Sequence, residues 1–222
     1  MTPGRTGGWL ALLIALVLGY ALLAHLLTTA REPTALGALA SIAPWALLAL
    51  VVAWRSAHRL LALAGCALLV ALAWRYWGLL ERNTAWVYYL QHVAMFLALG
   101  TAFGASLRPG QEALCTRFAR AVEGTLSPGA AAYCRRVTLA WAAFCAAMVA
   151  ASSLLFFLAP LPAWSIFANL LTLPLVGAMF VAEFVVRMRA CPELGHGGVL
   201  RGVMRSVRAY WDTSVRPTPG PR

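Results

Sequence analysis

The chain has 222 residues, of which 62% are hydrophobic, and it carries a formal net charge of +11. Soluble globular domains are about 45–50% apolar, so this composition excludes an ordinary soluble fold and indicates repeated membrane spans. All 18 basic residues are arginine. In a membrane protein such charge belongs mainly to cytoplasmic loops, which argues against a nucleic-acid-binding protein.

Six apolar runs, each about long enough to cross a bilayer, follow one another along the chain. They are predicted at 9–27, 34–54, 60–80, 84–107, 137–158 and 163–186. The first run is longer than the apolar part of a typical signal peptide, so we expect it to be retained as a span. Pro44 lies in the middle of the second run and should kink that helix, and Pro174 lies near the centre of the sixth run. Gly100 and Gly104 in the fourth run form a GxxxG spacing, which lets another helix approach closely.

Two polar segments predict short amphipathic helices at the membrane surface. In the central polar interval, Leu114, Phe118 and Val122 recur every four residues, which predicts a helix over 111–123. Near the end of the chain, residues 199–211 place aliphatic and aromatic side chains on one helical face and arginines on the other. The predicted fold is therefore all-α, with six transmembrane helices and two surface helices.

The arginines are divided unequally between the two sides that six spans would create. One side holds both termini, the central loop 108–136 and 15 of the 18 arginines, whereas the other side holds Arg31, Arg75 and Arg82. By the positive-inside rule, both termini and the central loop are cytoplasmic. The chain is thus divided into a membrane domain, 1–191, and a cytoplasmic tail, 192–222.

Polar side chains inside apolar runs are costly and are functional candidates by default. Those expected in the outer half of the membrane are His25, Arg75, His92 and Asn169. One hypothesis is a single polar cavity that opens outward and binds a lipid head group or the polar end of an acyl carrier. The alternative is separate structural roles, in which Arg75 extends to the interface while His92 and Asn169 form interhelical hydrogen bonds.

Charged residues on the cytoplasmic side have two further predicted roles. Glu183 and Arg187 lie one helical turn apart and should form a structural ion pair. Candidate contacts for anionic lipid or an acidic acyl carrier protein are Arg108, Arg117, Arg120, Arg135, Arg136, Arg201, Arg205 and Arg208. Basic patches attract such acidic partners. The alternative is that these arginines only set the topology of the protein in the membrane.

The sequence contains no recognisable catalytic or cofactor-binding motif. GxSxG, Walker and HExxH patterns are absent, and the five cysteines form neither a CxxC pair nor a Cys/His zinc spacing. The few acidic residues are scattered, which disfavours catalysis by paired carboxylates. We therefore predict no metal and no cofactor, and favour a protein without catalytic chemistry.

The second half of the chain resembles one known family. The stretches that carry the resemblance are FGASLRPG at 103–110, YCRRVTLAW at 133–141, WSIFAN at 164–169 and the run from Pro174 to Arg187. They resemble uncharacterised bacterial inner-membrane proteins encoded in gene clusters for aryl polyene or xanthomonadin-type pigments. The resemblance implies a multi-pass protein that acts beside enzymes building and attaching polyene acyl chains, and it supplies no reaction.

Two functional hypotheses follow from the sequence and the resemblance. The first is a non-catalytic scaffold or lipid-handling accessory in membrane-associated acyl or polyene lipid biosynthesis, with membrane lipid and acyl carrier protein as partners. The alternative is a small transporter or flippase with a polar path through His92 and Asn169. Pro44 and Pro174 favour the alternative, because broken helices often line substrate paths.

Overall fold

The computed structural model describes residues 3–30, 32 and 34–191, and every regular element in these ranges is helical. The helices are α1 (Pro3–Thr28), α2 (Ala35–Arg55), α3 (Arg59–Arg75), α4 (Trp77–Arg82), α5 (Thr84–Ala105), α6 (Leu114–Glu123), α7 (Pro128–Leu158), α8 (Leu161–Ser165) and α9 (Thr172–Ala190), with a π-helical segment (Ile166–Leu171) joining α8 to α9. The all-α class is confirmed for this part of the chain. The predicted tail helix, 199–211, lies outside the described residues.

Four helical stretches are long and apolar enough to cross a membrane. They are Ala35–Arg55, Thr84–Ala105, Pro128–Leu158 and Leu161–Ala190, the last comprising α8, the π segment and α9. They correspond to the predicted second, fourth, fifth and sixth runs, except that α7 begins at Pro128, so residues 128–136 of the predicted central loop are helical. In the part of α1 whose side chains are described, an apolar stretch runs over Ile14–Thr28. The predicted third run is divided, because α3 ends at Arg75 after 17 residues and Tyr76 interrupts the helix before α4.

The helices α5 and α7 form the most extensive pair, and they run antiparallel. Tyr89 near the start of α5 hydrogen-bonds Ser153 near the end of α7, at 3.0 Å between the hydroxyl oxygens. Phe103 near the end of α5 stacks on Trp141 in α7, with ring centroids 5.9 Å apart. Aromatic rings thus fill the space between the two helices along most of their length.

Gly100 is a point of close approach between α5 and α7. A Cβ added there would lie 3.1 Å from the Cβ of Cys145, whereas a Cβ at Gly104 would meet no atom within 4 Å. The close approach predicted from the GxxxG spacing therefore depends on Gly100. We expect Gly100→Val to lower the free energy of unfolding by about 1–3 kcal/mol through overpacking.

The matched control for this prediction is Gly104→Val, which adds the same side chain to the same helix. Because the space around Gly104 is open, this variant should show only an ordinary helix-propensity change of about 1 kcal/mol or less, neutral or slightly stabilising, since valine is a better helix former than glycine. Denaturant unfolding of the detergent-solubilised protein measures both variants. Equal stabilities would show that the α5–α7 contact does not constrain Gly100.

The last helical stretch completes a three-helix core with α5 and α7. Trp164 in α8 donates a hydrogen bond from Nε1 to Ser152 Oγ at 3.0 Å, near the end of α7. At the opposite end of the core, the Tyr133 hydroxyl donates to the carbonyl of Glu183 at 3.3 Å. The last stretch is therefore antiparallel to α7. In addition, α1 packs on the π segment and α2 packs on α3.

The predicted amphipathic helix of the central loop is present as α6, which packs across α7. The backbone N–H of Cys115 donates to Thr138 Oγ1 in α7 at 3.1 Å. The buried face is formed by Cys115, Thr116 and Ala119, while the predicted stripe of Leu114, Phe118 and Val122 is half-buried beside it. Because α6 packs closely against α7, the most buried side chains of α6 are small.

The described arginine side chains are segregated between the two ends of the helices. Those at the end where α5 finishes and α7 begins are Arg55, Arg59, Arg108, Arg117, Arg120, Arg135, Arg136, Arg187 and Arg189, whereas Arg75 and Arg82 lie at the opposite end. The contacts between helices fix these positions. For example, Gln91 in α5 donates to the carbonyl of Ser41 in α2 at 3.0 Å, so α2 and α5 begin at the same end.

Candidate polar site at a helix break

The last helical stretch widens into a π-helical segment, Ile166–Leu171, between α8 and α9. Pro174 lies just beyond this segment. Proline has no N–H, and its ring clashes with the carbonyl four residues earlier, here that of Leu170. Widening of the preceding turn relieves this clash, which accounts for a π-helical segment shortly before Pro174. Such segments frequently accompany functional sites.

One side of the segment carries a hydrogen-bond chain to α1. His25 Nδ1 lies 2.9 Å from Ser165 Oγ, and Asn169 Nδ2 donates to the same oxygen at 3.0 Å. Ser165 is fully buried, whereas His25 and Asn169 are half-buried. Two of the predicted polar residues are thus joined through a serine that the sequence did not single out.

The other side of the segment receives His92 from α5. Thr172 Oγ1 donates to the carbonyl of Phe167 at 3.2 Å, so it accepts the hydrogen bond from His92 Nε2 at 2.9 Å. His92 then carries its proton on Nε2, and its Nδ1 is an acceptor. That Nδ1 is buried and has no hydrogen-bond partner among the described residues.

Aromatic rings enclose the imidazole of His92. Its ring centroid lies 4.9 Å from that of Phe96 and 5.8 Å from that of Phe167, and His92 itself is 8% exposed. Buried polar atoms are nearly always hydrogen-bonded, so an unpaired acceptor requires an explanation. The arrangement offers one hydrogen-bond acceptor beside two aromatic rings, a chemistry that suits the hydroxyl or amide of a largely apolar ligand.

Arg75 does not belong to this group. It is exposed at the end of α3, where it lines a surface groove together with Arg82. The structure therefore brings three of the four predicted outer polar residues to the π segment and leaves Arg75 on the surface. The sequence missed Ser165 and Thr172, since short hydroxyl side chains in apolar helices usually bond their own backbone. The sequence feature that could have indicated Thr172 is its position close to Pro174.

At the arginine-rich end, Glu183 and Arg187 lie within ion-pair distance. Glu183 Oε1 and Arg187 Nε are 3.4 Å apart, and the two side chains are 5% and 7% exposed. A buried cluster beside them includes Cys115, Cys134 and Cys191. Within the described ranges, no group of three His, Cys, Asp or Glu side chains is arranged to hold a metal ion.

Cys115 is fully buried in this cluster, and burial raises the pKa of its thiol to about 11. The thiolate is the reactive form, so the folded protein should resist thiol reagents at neutral pH. We expect N-ethylmaleimide at pH 7.5 to leave Cys115 unmodified until the protein is denatured. The control is Arg117→Cys, an exposed position on the same helix, which should react quickly. Peptide mass spectrometry measures both, and equal rates would contradict the burial of α6 against α7.

The arginines of the central loop differ in how far they are already engaged. Arg120 pairs with Glu112 at 2.9 Å, and Arg135 donates to the carbonyl of Leu107 at 2.7 Å, just beyond the C-terminal end of α5. Of the other arginines in this segment, Arg108, Arg117 and Arg136 are exposed, and none of them forms an ion pair with a described carboxylate. The tail candidates Arg201, Arg205 and Arg208 lie outside the described residues.

Comparison with known protein families, with curated proteins and with solved structures gives no match for this chain. The function is therefore inferred from the chemistry of the site. Its two features are a helix break that gathers polar side chains from three helices and a buried imidazole acceptor enclosed by aromatic rings.

Proposed function

We propose that the chain is a multi-pass protein of a bacterial inner membrane, with six spans and both termini in the cytoplasm. The segregation of the described arginines to one end of the helices supports this orientation. The hydrogen bond between His25 and Ser165 places the end of α1 beside the start of the last stretch, which agrees with alternating spans. In this arrangement α1 and α3 cross the membrane together with the four longer stretches.

Within the membrane the protein handles an amphipathic acyl or polyene lipid without covalent chemistry. The observation that carries this proposal is the unpaired Nδ1 of His92 between Phe96 and Phe167. A hydroxyl or amide at the polar end of a lipid would donate to Nδ1, and its apolar chain would lie against the aromatic rings. The resemblance of the second half to proteins from aryl polyene gene clusters is the reason for placing this lipid in a polyene pathway.

The cytoplasmic end would dock an acidic acyl carrier protein or anionic lipid. Arg108, Arg117 and Arg136 are exposed and are available for such a contact. By contrast, Arg120 and Arg135 are already engaged within the protein. Exposed arginines steer acidic partners toward a surface and fix their orientation. The protein would then act as a scaffold beside the enzymes that use the carrier, and membrane lipid would be its second partner.

Deletion of the gene, followed by separate extraction of inner- and outer-membrane lipids, tests the proposed function. An accessory of synthesis predicts loss of the acylated product from both membranes, and restoration of the intact gene should return it. Normal amounts and distribution of product in the deletion strain would contradict the proposal.

A small transporter or flippase is the second candidate. The π segment favours it, because a widened helix beside two histidines is the kind of interruption that lines a path through a membrane protein. For this function, the deletion strain would hold its product trapped in the inner membrane. Reconstituted proteoliposomes would then move the product between leaflets, and His92→Phe would abolish that movement.

A further inference from the structure

The junction between α3 and α4 forms a surface groove that the polar site does not use. Tyr76, with φ −108° and ψ 25°, leaves the helical conformation and turns the chain between the two helices. As a result, Arg75 and Arg82 line the same groove, together with Tyr76, Gly78 and Leu79. The groove has a volume of about 340 Å³.

The two arginines bring uncompensated positive charge to this groove. Both are exposed, and neither forms an ion pair with a described carboxylate. The guanidinium carbon of Arg75 lies 5.6 Å from the ring centroid of Tyr76, a cation–π distance that helps to hold the side chain in place. Guanidinium groups bind phosphate oxygens in a bidentate manner, so a phosphate here would contact both arginines and relieve their repulsion.

The surroundings of the groove are apolar and aromatic. Trp74 is 82% exposed, Tyr76 is 54% exposed and Leu79 is 63% exposed, so large side chains flank the two charges without packing on the protein. Exposed tryptophan and tyrosine beside arginine are typical of the lipid–water interface. A ligand that matches both features carries a phosphate head and apolar chains.

We propose that this groove binds the head group of an anionic membrane phospholipid, with the phosphate held between Arg75 and Arg82 and the acyl chains along the exposed side chains of α3. None of the described residues of α3 is buried, so the exposed side chains of α3 are open to contact with lipid. The site lies at the end of the helices opposite the cytoplasmic arginines. It depends on neither the proposed function nor the polar site at His92.

Native mass spectrometry of the full chain, purified in detergent and supplied with phosphatidylglycerol, tests this proposal. The wild-type protein should retain the lipid. The double variant Arg75→Gln/Arg82→Gln should bind it roughly tenfold or more weakly, since each arginine near a membrane surface makes a substantial contribution. The control Arg59→Gln removes an exposed arginine from the opposite end of α3 and should bind like the wild type.

A second variant separates loss of binding from loss of folding. A Cβ at Gly78 would meet no atom within 4 Å, so Gly78→Leu should fill the groove without straining the helix and should weaken lipid binding with all arginines present. Phosphatidylcholine should be retained less than phosphatidylglycerol, and inorganic phosphate should not displace it. Undiminished binding by both variants would overturn the proposal, as would equal retention of phosphatidylcholine or displacement by equimolar inorganic phosphate.

Discussion

Replacing Arg187 with glutamine is expected to lower the free energy of unfolding by about 3–5 kcal/mol, because it leaves the carboxylate of Glu183 buried without its ion-pair partner. Glu183 is 8% exposed, and no hydrogen bond from the described residues reaches its Oε1. Removing one member of a buried pair costs more than the pair itself contributes, since the remaining charge keeps its desolvation penalty.

The control for this prediction is Arg189→Gln, which removes an exposed arginine from the same turn of α9 and should change stability by about 1 kcal/mol or less. Adding Glu183→Gln to Arg187→Gln should recover part of the loss, with a coupling of about 0.5–3 kcal/mol in a double-mutant cycle. Denaturant unfolding of the solubilised protein measures these three variants together with Glu183→Gln alone, which completes the cycle. If Arg187→Gln were as stable as Arg189→Gln, the ion pair would not be buried in the folded protein.

Replacing Trp164 with alanine is expected to destabilise the protein by about 3–5 kcal/mol, as a large-to-small change at a fully buried side chain. The indole contacts Phe156 at 5.1 Å between ring centroids and donates a hydrogen bond to Ser152. Its removal leaves a cavity where α5, α7 and α8 meet. Because Ser165 is the next residue, the loss should also weaken the hydrogen bond between Ser165 and His25.

The matched control is Trp54→Ala, since Trp54 is 71% exposed on α2. It removes the same side chain from a position that faces outward and should cost far less than Trp164→Ala. Intermediate behaviour is expected for Ser152→Ala, which leaves the indole N–H unpaired at a cost of about 1–3 kcal/mol. Similar stabilities for the two tryptophan variants would contradict the packing of α8 against α7.

The helices themselves could be predicted from sequence because apolar length and polar breaks determine them locally. The fourth and sixth spans have nearly the predicted limits, and α6 lies within the predicted 111–123. Two predictions were less accurate. The fifth run was predicted to begin at residue 137, whereas α7 begins at Pro128, and the third run is divided. A window of apolar residues continues through Arg75 and Tyr76, but the helix stops there, because hydropathy does not register a local change in backbone angles.

The candidate site could be predicted less completely. His25, His92 and Asn169 were found because polar residues in apolar runs are conspicuous, and the spacing of Glu183 and Arg187 indicated their contact. The sequence could not show that three of these residues meet at one helix break, since that depends on how α1 and α5 pack. The expected depth of Arg75 in the membrane grouped it with these residues. In the structure, Arg75 lies at the end of α3 and lines a surface groove instead.

Complementation of the deletion strain with His92→Phe, with the acylated product measured per amount of folded protein in the membrane, tests the central claim most directly. The control Thr172→Val removes the same hydrogen bond between α5 and the last stretch but keeps the imidazole. If His92 holds a lipid through Nδ1, His92→Phe should lose the product while Thr172→Val retains most of it. If both variants produced wild-type amounts, His92 would serve only to join two helices, and the proposed lipid site would be wrong.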